Sequence, residues 1–263
     1  MPVTIRDLRA FKDRGERFVM LTAYDYPTAR LLDEAGIPAL LVGDSVADNI
    51  LGYPTTVPVT MEEMLHHTRA VTRGARNALI VGDMPFMSYQ ASLEEGIRNA
   101  GRMLKEGGAH AVKFEGPLSE LAHALVDRGV PVMGHLGLTP QSVHAMGGYR
   151  VQGRNDQDAE RLMIEAESME KAGAFAIVLE GIPSEVARRI TDALEVPTIG
   201  IGAGPHCDAQ VLVITDLLGL SDRKPAKFVK RYANLGEEIM NAVTRFKEEV
   251  AAGVFPDEEH SYH

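Results

Sequence analysis

Four acidic side chains each close a short apolar run: Asp44 in LLVGDS, Asp83 in LIVGDM, Glu115 in AVKFEG and Glu180 in AIVLEG. An aliphatic run that ends in an acid reads as a buried parallel strand delivering a carboxylate to its downstream end. Carboxylates brought from distant strands to one rim suit a hard metal ion, acid–base chemistry, or both. Asp44 and Asp83 each follow a glycine in matching contexts. Mg²⁺ commonly takes one or two carboxylates from a protein and fills its remaining positions with water and substrate oxygens. The competing reading of each Asp is a cap on the following helix.

Lys113 and Glu115 stand two residues apart, so on a strand they share a face. They read either as a cation that pins an anionic substrate beside a carboxylate supporting the metal, or as a buried ion pair. Glu180, on the sixth run, reads as a general base if it stays off the metal, because apolar surroundings raise a carboxyl toward the useful range. A structural partner for an arginine is the alternative. His135 ends the fifth run, where a lone histidine is more often a hydrogen-bonding core residue. His66 and His67 sit mid-helix and do not converge on one ligand. The loop Gly200-Ile201-Gly202-Ala203-Gly204 reads either as a phosphate cradle or as a tight turn. Asp208 and Asp216 read as structural. Arg223, Lys224, Lys227, Lys230 and Arg231 read as a solvated or contact face.

Eight runs qualify as strands: residues 18–25, 39–45, 79–85, 110–116, 130–136, 174–181, 196–202 and 211–217. They are rich in Val, Ile and Leu and do not alternate with polar residues, as expected of strands covered on both faces. Helical patterns lie between them. Thr60-Met61-Glu62-Glu63 and Ser92-Leu93-Glu94-Glu95 fit capping boxes. Gly36, Gly74, Gly107, Gly129 and Gly173 fall at expected helix ends, and Pro38, Pro131 and Pro197 lead into strands. Eight βα units predict an α/β fold, a closed (β/α)8 barrel, whose active site lies at the C-terminal rim of the strands. Residues 1–263 are expected to be one barrel domain with an N-terminal helix, over 4–14, plugging the floor and a C-terminal helical extension from 221. Residues 137–155 form a long connection without helical periodicity, the kind that is usually functional.

The bulk numbers set bounds. A length of 263 residues suits one such barrel, and 45% hydrophobic residues suffice for its core. A net charge of −10 argues against a nucleic-acid partner. The single cysteine, Cys207, fits a reducing compartment, and no apolar run is long enough to predict a membrane span or signal peptide. The expectation is a soluble, cytoplasmic protein.

The chain also resembles the ketopantoate hydroxymethyltransferase family. The resemblance rests on TAYDYPTA, LLVGDS, LGYPTTVPVTMEEMLHHTRAV, GDMPFMSY, AVKFEG, GHLGLTPQS, GGYRVQGR, LEGIP, IGIGAG and FPDEEHSYH. It implies a barrel of the phosphoenolpyruvate/pyruvate superfamily, Mg²⁺, and the co-substrate 5,10-methylenetetrahydrofolate. It implies that Asp44, Asp83 and Glu115 serve the metal and that Asp44, Ser45, Asp83 and Lys113 contact an α-keto acid. Glu180 becomes the proton acceptor, in a reaction that passes through a metal-stabilised enolate. It further implies a homodecamer of pentameric rings. Two stretches depart from the family pattern: Val46-Ala47-Asp48 replaces Leu-Gly-Met, and Asp208-Ala209-Gln210 replaces Asp-Gly-Gln. A Mg²⁺-dependent C–C lyase on the same barrel, or a non-catalytic barrel that binds a small acid, are the alternatives.

Overall fold

A computed structural model describes residues 2–262 apart from 222 and 223, so Arg223 lies outside the described residues. Two compact units result, residues 1–213 and 214–263.

In the first unit eight parallel strands close into a barrel in chain order, β1 pairing with both β2 and β8. They are β1 Phe18–Thr22, β2 Ala39–Val42, β3 Leu79–Asp83, β4 Ala111–Glu115, β5 Val132–Gly137, β6 Ala176–Glu180, β7 Thr198–Ile201 and β8 Ala209–Leu212. Six of the expected runs contain their strand, and β5 runs one residue past the fifth, to Gly137. The eighth is corrected: β8 begins at Ala209, paired with Ile199, while 214–218 turns helical. Exposed Gln210 interrupts the apolar run where the strand begins, and the run's apolar end belongs to the next helix.

The helices of this unit are α1 Ile5–Asp13, α2 Tyr26–Glu34, α3 Val46–Asn49, α4 Met61–Gly74, α5 Leu93–Lys105, α6 Ser119–Val126, α7 Val143–Met146, α8 Asp156–Lys171 and α9 Ser184–Ala193. Thr60 and Glu63 form the full reciprocal capping box on α4. Only half of the second box forms, with Ser92 accepting from the Glu95 amide at 3.1 Å. Gly36, Gly129 and Gly173 take the left-handed conformation expected at helix ends. Gly74 and Gly107 do not; a Cβ there would stand 2.5 Å from the carbonyl oxygens of Tyr26 and Met103, so close packing is their reason. Pro38, Pro131 and Pro197 lack an N–H, but their carbonyls accept from Leu79, Val112 and Ile177 and start the ladders of the neighbouring strands.

The period of two sorts each strand's residues inward and outward. Inward positions low in the barrel are Phe18, Met20, Leu41, Leu79, Val81, Ala111, Met133, Ala176, Val178, Ile199 and Val211, which form one buried cluster. Leu8 of α1, fully buried, joins it, with Val3, Ile5 and Phe11 packed alongside, so α1 does close the floor. Continuing upward in steps of two, β3 reaches Asp83, β4 reaches Lys113 and Glu115, β5 reaches His135 and β6 reaches Glu180. The inward columns are therefore apolar at the floor and charged at the rim.

A half-buried ion pair ties the floor helix to the barrel. Lys12 Nζ lies 3.0 Å from Asp208 Oδ2 and donates to the Thr191 carbonyl at 2.9 Å. Asp208 also accepts from the Thr198 amide at 2.8 Å and from its hydroxyl at 3.2 Å. The expected structural role of Asp208 is what these bonds describe.

The second unit contains α10 Ile214–Leu218 and α11 Leu235–Ala251. α11 is the helix of the expected C-terminal extension, and none of its residues is buried within the described structure. Phe255 stacks between Phe246 and His260, and His260 Nδ1 meets Asp257 Oδ1 at 2.6 Å. Lys224, Lys227, Lys230 and Arg231 are exposed, with Lys230 Nζ 4.8 Å above the Tyr232 ring. Among the described residues no helix is long and apolar enough to cross a membrane.

Candidate active site

Strand register brings the predicted residues side by side. Asp83 is paired with Lys113 across β3 and β4, Glu115 with His135 across β4 and β5, and Gly137 with Glu180 across β5 and β6. Asp44 arrives from the turn just after β2. All four acids expected at the rim are there, together with Lys113.

The ammonium of Lys113 is 2.9 Å from Asp83 Oδ1 and 3.1 Å from His135 Nδ1. An ammonium only donates, so Nδ1 accepts and the neutral imidazole carries its proton on Nε2. That Nε2 lies 3.2 Å from Glu180 Oε2. On the other side, Asp83 Oδ2 accepts from the Asp44 amide at 3.1 Å. The Asp44 carboxylate does not cap α3; its Oδ2 accepts from Gln141 Nε2 at 2.9 Å. Glu180 meets a histidine, not the arginine of the alternative reading.

Burial sets the electrostatics. Asp83, Lys113, Glu115 and His135 are each no more than 5% exposed. Three carboxylates, those of Asp44, Asp83 and Glu115, share one ammonium. Burial, with Asp44 adding repulsion against Lys113's attraction, pushes the Asp83 carboxyl up to about 7. Burial and the Asp44 charge push Glu115 well above the ordinary carboxylate range. For Lys113 burial acts downward, but Asp83, Asp44 and Glu115 outweigh it and hold the ammonium above its usual value. Burial and the Lys113 charge press His135 well below its usual range. Glu180 is pushed up to about 7 by burial, against a small opposing pull from Lys113.

The surplus of negative charge fits a cation. Glu115 Oε1 and His135 Nε2 are buried without a hydrogen bond, and Asp83 Oδ1 has the Lys113 ammonium at 2.9 Å. All-oxygen donors of this kind suit a hard divalent ion. Among the described residues, however, no three His, Cys, Asp or Glu side chains converge to hold a metal by themselves. An ion here would need oxygens from water or substrate, the usual habit of Mg²⁺.

The structure also brings in residues that sequence reasoning missed. Gln141 bonds Asp44 with its side chain and Glu115 Oε2 with its amide, at 2.9 Å each. Tyr89 donates to Gln141 Oε1 at 2.6 Å and accepts from the Glu115 amide at 3.1 Å. Both residues lie in the motifs GDMPFMSYQ and GHLGLTPQS, which were visible, but a neutral Gln or Tyr carries no chemical signature of its own. His135 was visible yet underweighted; it stands between Lys113 and Glu180. The connection 137–155 is not wholly irregular: Pro140–Ser142 is a 3₁₀ turn and α7 follows. Turns this short leave no periodicity to read. The connection leaves and returns beside β6, with Leu138 N bonded to the Glu180 carbonyl and Gln152 N to that of Gly181.

The remaining expectations sort simply. The Ser45 hydroxyl is within 2.9 Å of Tyr24 Oη at the mouth. His67 Nδ1 bonds the Tyr24 carbonyl at 2.6 Å and stacks edge-on against His66, in keeping with structural roles. In the glycine loop, a Cβ on Gly204 would strike Ser184, which explains a tight turn without any phosphate. Asp216 lies within α10. Of the departures from the family pattern, Val46 and Ala47 are fully buried in α3 and Ala209 packs in the barrel core. Asp48 accepts from Asn49 Nδ2 at 3.0 Å.

Among solved structures, phosphonopyruvate hydrolase in complex with oxalate and Mg²⁺ is similar at a TM-score of 0.62 and 14% identity, over 98% of this chain and 93% of that one. The 2,3-dimethylmalate lyase of the PEP mutase/isocitrate lyase superfamily is similar at 0.62 and 17% identity, over 99% and 89%. Likeness at that identity speaks for the shared barrel alone. In sequence, the 3-methyl-2-oxobutanoate hydroxymethyltransferase of Syntrophus aciditrophicus is 56% identical over 262 residues, 99% of this chain and 96% of its own. That of Thermobifida fusca is 58% identical over 262 residues, 99% and 93%. The family model for ketopantoate hydroxymethyltransferase matches residues 2–258. The chain belongs to the ketopantoate hydroxymethyltransferase family.

Proposed function

We propose that this enzyme transfers a one-carbon unit from 5,10-methylenetetrahydrofolate to 3-methyl-2-oxobutanoate. Keto acid, folate and water give the hydroxymethylated keto acid, 2-dehydropantoate, and tetrahydrofolate. The observation that carries the reading is the division of the rim. Asp44, Asp83, Glu115 and Lys113 lie on one side of His135, and the lone Glu180 lies on the other.

Asp44, Asp83 and Glu115 would hold a divalent ion, Mg²⁺ by their all-oxygen chemistry. The chemistry such an ion supplies when bound is polarisation of the substrate's carbonyl and carboxylate oxygens. Lys113, oriented by Asp83 and His135, is placed to pair with the substrate carboxylate, and the Ser45 hydroxyl supports it at the mouth. Glu180 takes the C3 proton; the C–H electron pair becomes the C2–C3 π bond while the C2 carbonyl pair moves onto its oxygen, and C3 then bonds to the one-carbon unit, whose C–N bonds to folate break onto nitrogen and whose hydroxyl comes from water. A carboxyl held near 7 can both accept and return a proton at neutral pH. The neutral His135 stands beside it, with Nε2 3.2 Å from Glu180 Oε2. Residues 137–155, anchored beside Glu180, are placed to exclude water from the carbanion. A homodecamer in the cytoplasm belongs to the same reading, and light scattering would measure its mass.

The test is isotope exchange. With Mg²⁺ and no folate, the enzyme should wash deuterium from C3 of labelled 3-methyl-2-oxobutanoate, and Glu180→Gln should slow this by about 10²–10⁴-fold. Undiminished exchange in that variant would sink the base assignment. Cleavage of the acid without folate would favour a lyase instead.

A further inference from the structure

We infer that Gln141 is a positioning residue that decides which oxygens of Asp44 and Glu115 remain open to a divalent cation. The inference rests on the cation reading of the rim.

Gln141 is 3% exposed and every hydrogen-bonding atom of its side chain is used. Its Nε2 protons go to Asp44 Oδ2 and to the Met84 carbonyl, each at 2.9 Å. Its Oε1 accepts from Tyr89 Oη at 2.6 Å and from Gln90 Nε2 at 3.3 Å. Reversing the amide would set its oxygen against two acceptors, so this orientation alone satisfies the site. Its backbone amide donates to Glu115 Oε2 at 2.9 Å. One residue on the connection after β5 thereby ties together the ends of β2, β3 and β4.

The consequence is selective. Asp44 Oδ2 and Glu115 Oε2 are each occupied by a neutral N–H donor. Glu115 Oε1 is left buried without a hydrogen bond. A neutral amide fixes carboxylates without cancelling their charge. A lysine in its place would orient them equally well but would compete with the cation. Tyr89 extends the device, since its hydroxyl holds Gln141 Oε1 while accepting from the Glu115 amide. Groups that orient metal ligands from behind typically change metal affinity 10–100-fold when removed.

The experiment titrates Mn²⁺ into the full-length, metal-free protein and counts free Mn²⁺ by electron paramagnetic resonance, with melting midpoints taken in EDTA. Gln141→Leu should raise the Mn²⁺ Kd by about 10–100-fold. Tyr89→Phe removes one hydroxyl and should raise it less, at an unchanged midpoint. A Kd equal to wild type in the folded variants overturns the inference, as does a rise that only follows a falling midpoint. If Gln141→Leu does not fold, Tyr89→Phe decides alone by the same criteria. Wild type that binds no Mn²⁺ overturns the cation reading and this inference with it, whereas wild-type binding with unaffected variants overturns this inference alone.

Discussion

Two lysine–aspartate pairs stand at opposite ends of the barrel, and they are built from the same groups at nearly the same distance: Lys12–Asp208 at 3.0 Å on the floor and Lys113–Asp83 at 2.9 Å at the rim. On the floor the pair is satisfied. Asp208 collects the Thr198 amide and hydroxyl, and Lys12 has a carbonyl as well. At the rim the pair is starved. Lys113 serves several carboxylates, neighbouring Glu115 Oε1 has no hydrogen bond, and burial is deeper. A buried ion pair that is fully bonded holds chain segments together. One that is left short of cations is a site waiting for charge.

The sharpest break of this comparison is Lys113→Met against Lys12→Met. Loss of a preorganised charge at the reacting centre should slow C3 exchange by about 10²–10³-fold, while the floor variant should leave the rate within about twofold. Equal losses would mean that both pairs act only through the fold. The stability order should reverse. In urea unfolding of metal-free protein, Asp208→Asn should cost about 1–3 kcal/mol, because it abandons well-made bonds. Asp83→Asn should cost less, because it relieves repulsion among crowded carboxylates, and it should nevertheless abolish most exchange. The smallest effect is pH dependence. Exchange should rise with pH through about 7 as Glu180 deprotonates. The same shift has a stability sign. The folded carboxyl titrates near 7 against an ordinary 4.5, so its contribution to stability is complete in acid and is lost as pH rises through about 7. Glu180→Gln should flatten that slope in thermal melts; an unchanged slope would place the raised carboxyl elsewhere.

Much of this was legible in the chain. Aliphatic runs capped by glycine and proline gave away the barrel, because strands covered on both faces must be apolar throughout. The rim acids were legible because charge at the end of such a run is costly and so stands out. Lys113 and Glu115 could be placed on one face by strand period alone. What stayed hidden was neutral or short. β8 carries an exposed Gln at its second residue, α7 is a single turn, and Gln141 and Tyr89 act only through partners far away in sequence. The division of roles between a metal group and a base came from the family resemblance. Nothing in spacing distinguishes Glu180 from Glu115; their different neighbours do.

The register that sets Asp83 beside Lys113 has a consequence for folding fidelity. A one-residue slip of β4 would turn Lys113 and Glu115 outward into the helical layer and bring Val112 and Phe114 into the barrel. Ammonium and carboxylate would then face apolar helices with no counter-ions, a penalty far larger than any loss of aliphatic contacts. The lower, apolar rings tolerate such a slip much better, since one aliphatic side chain replaces another. The charges gathered at the rim thus also proofread the alignment of the strands that carry them.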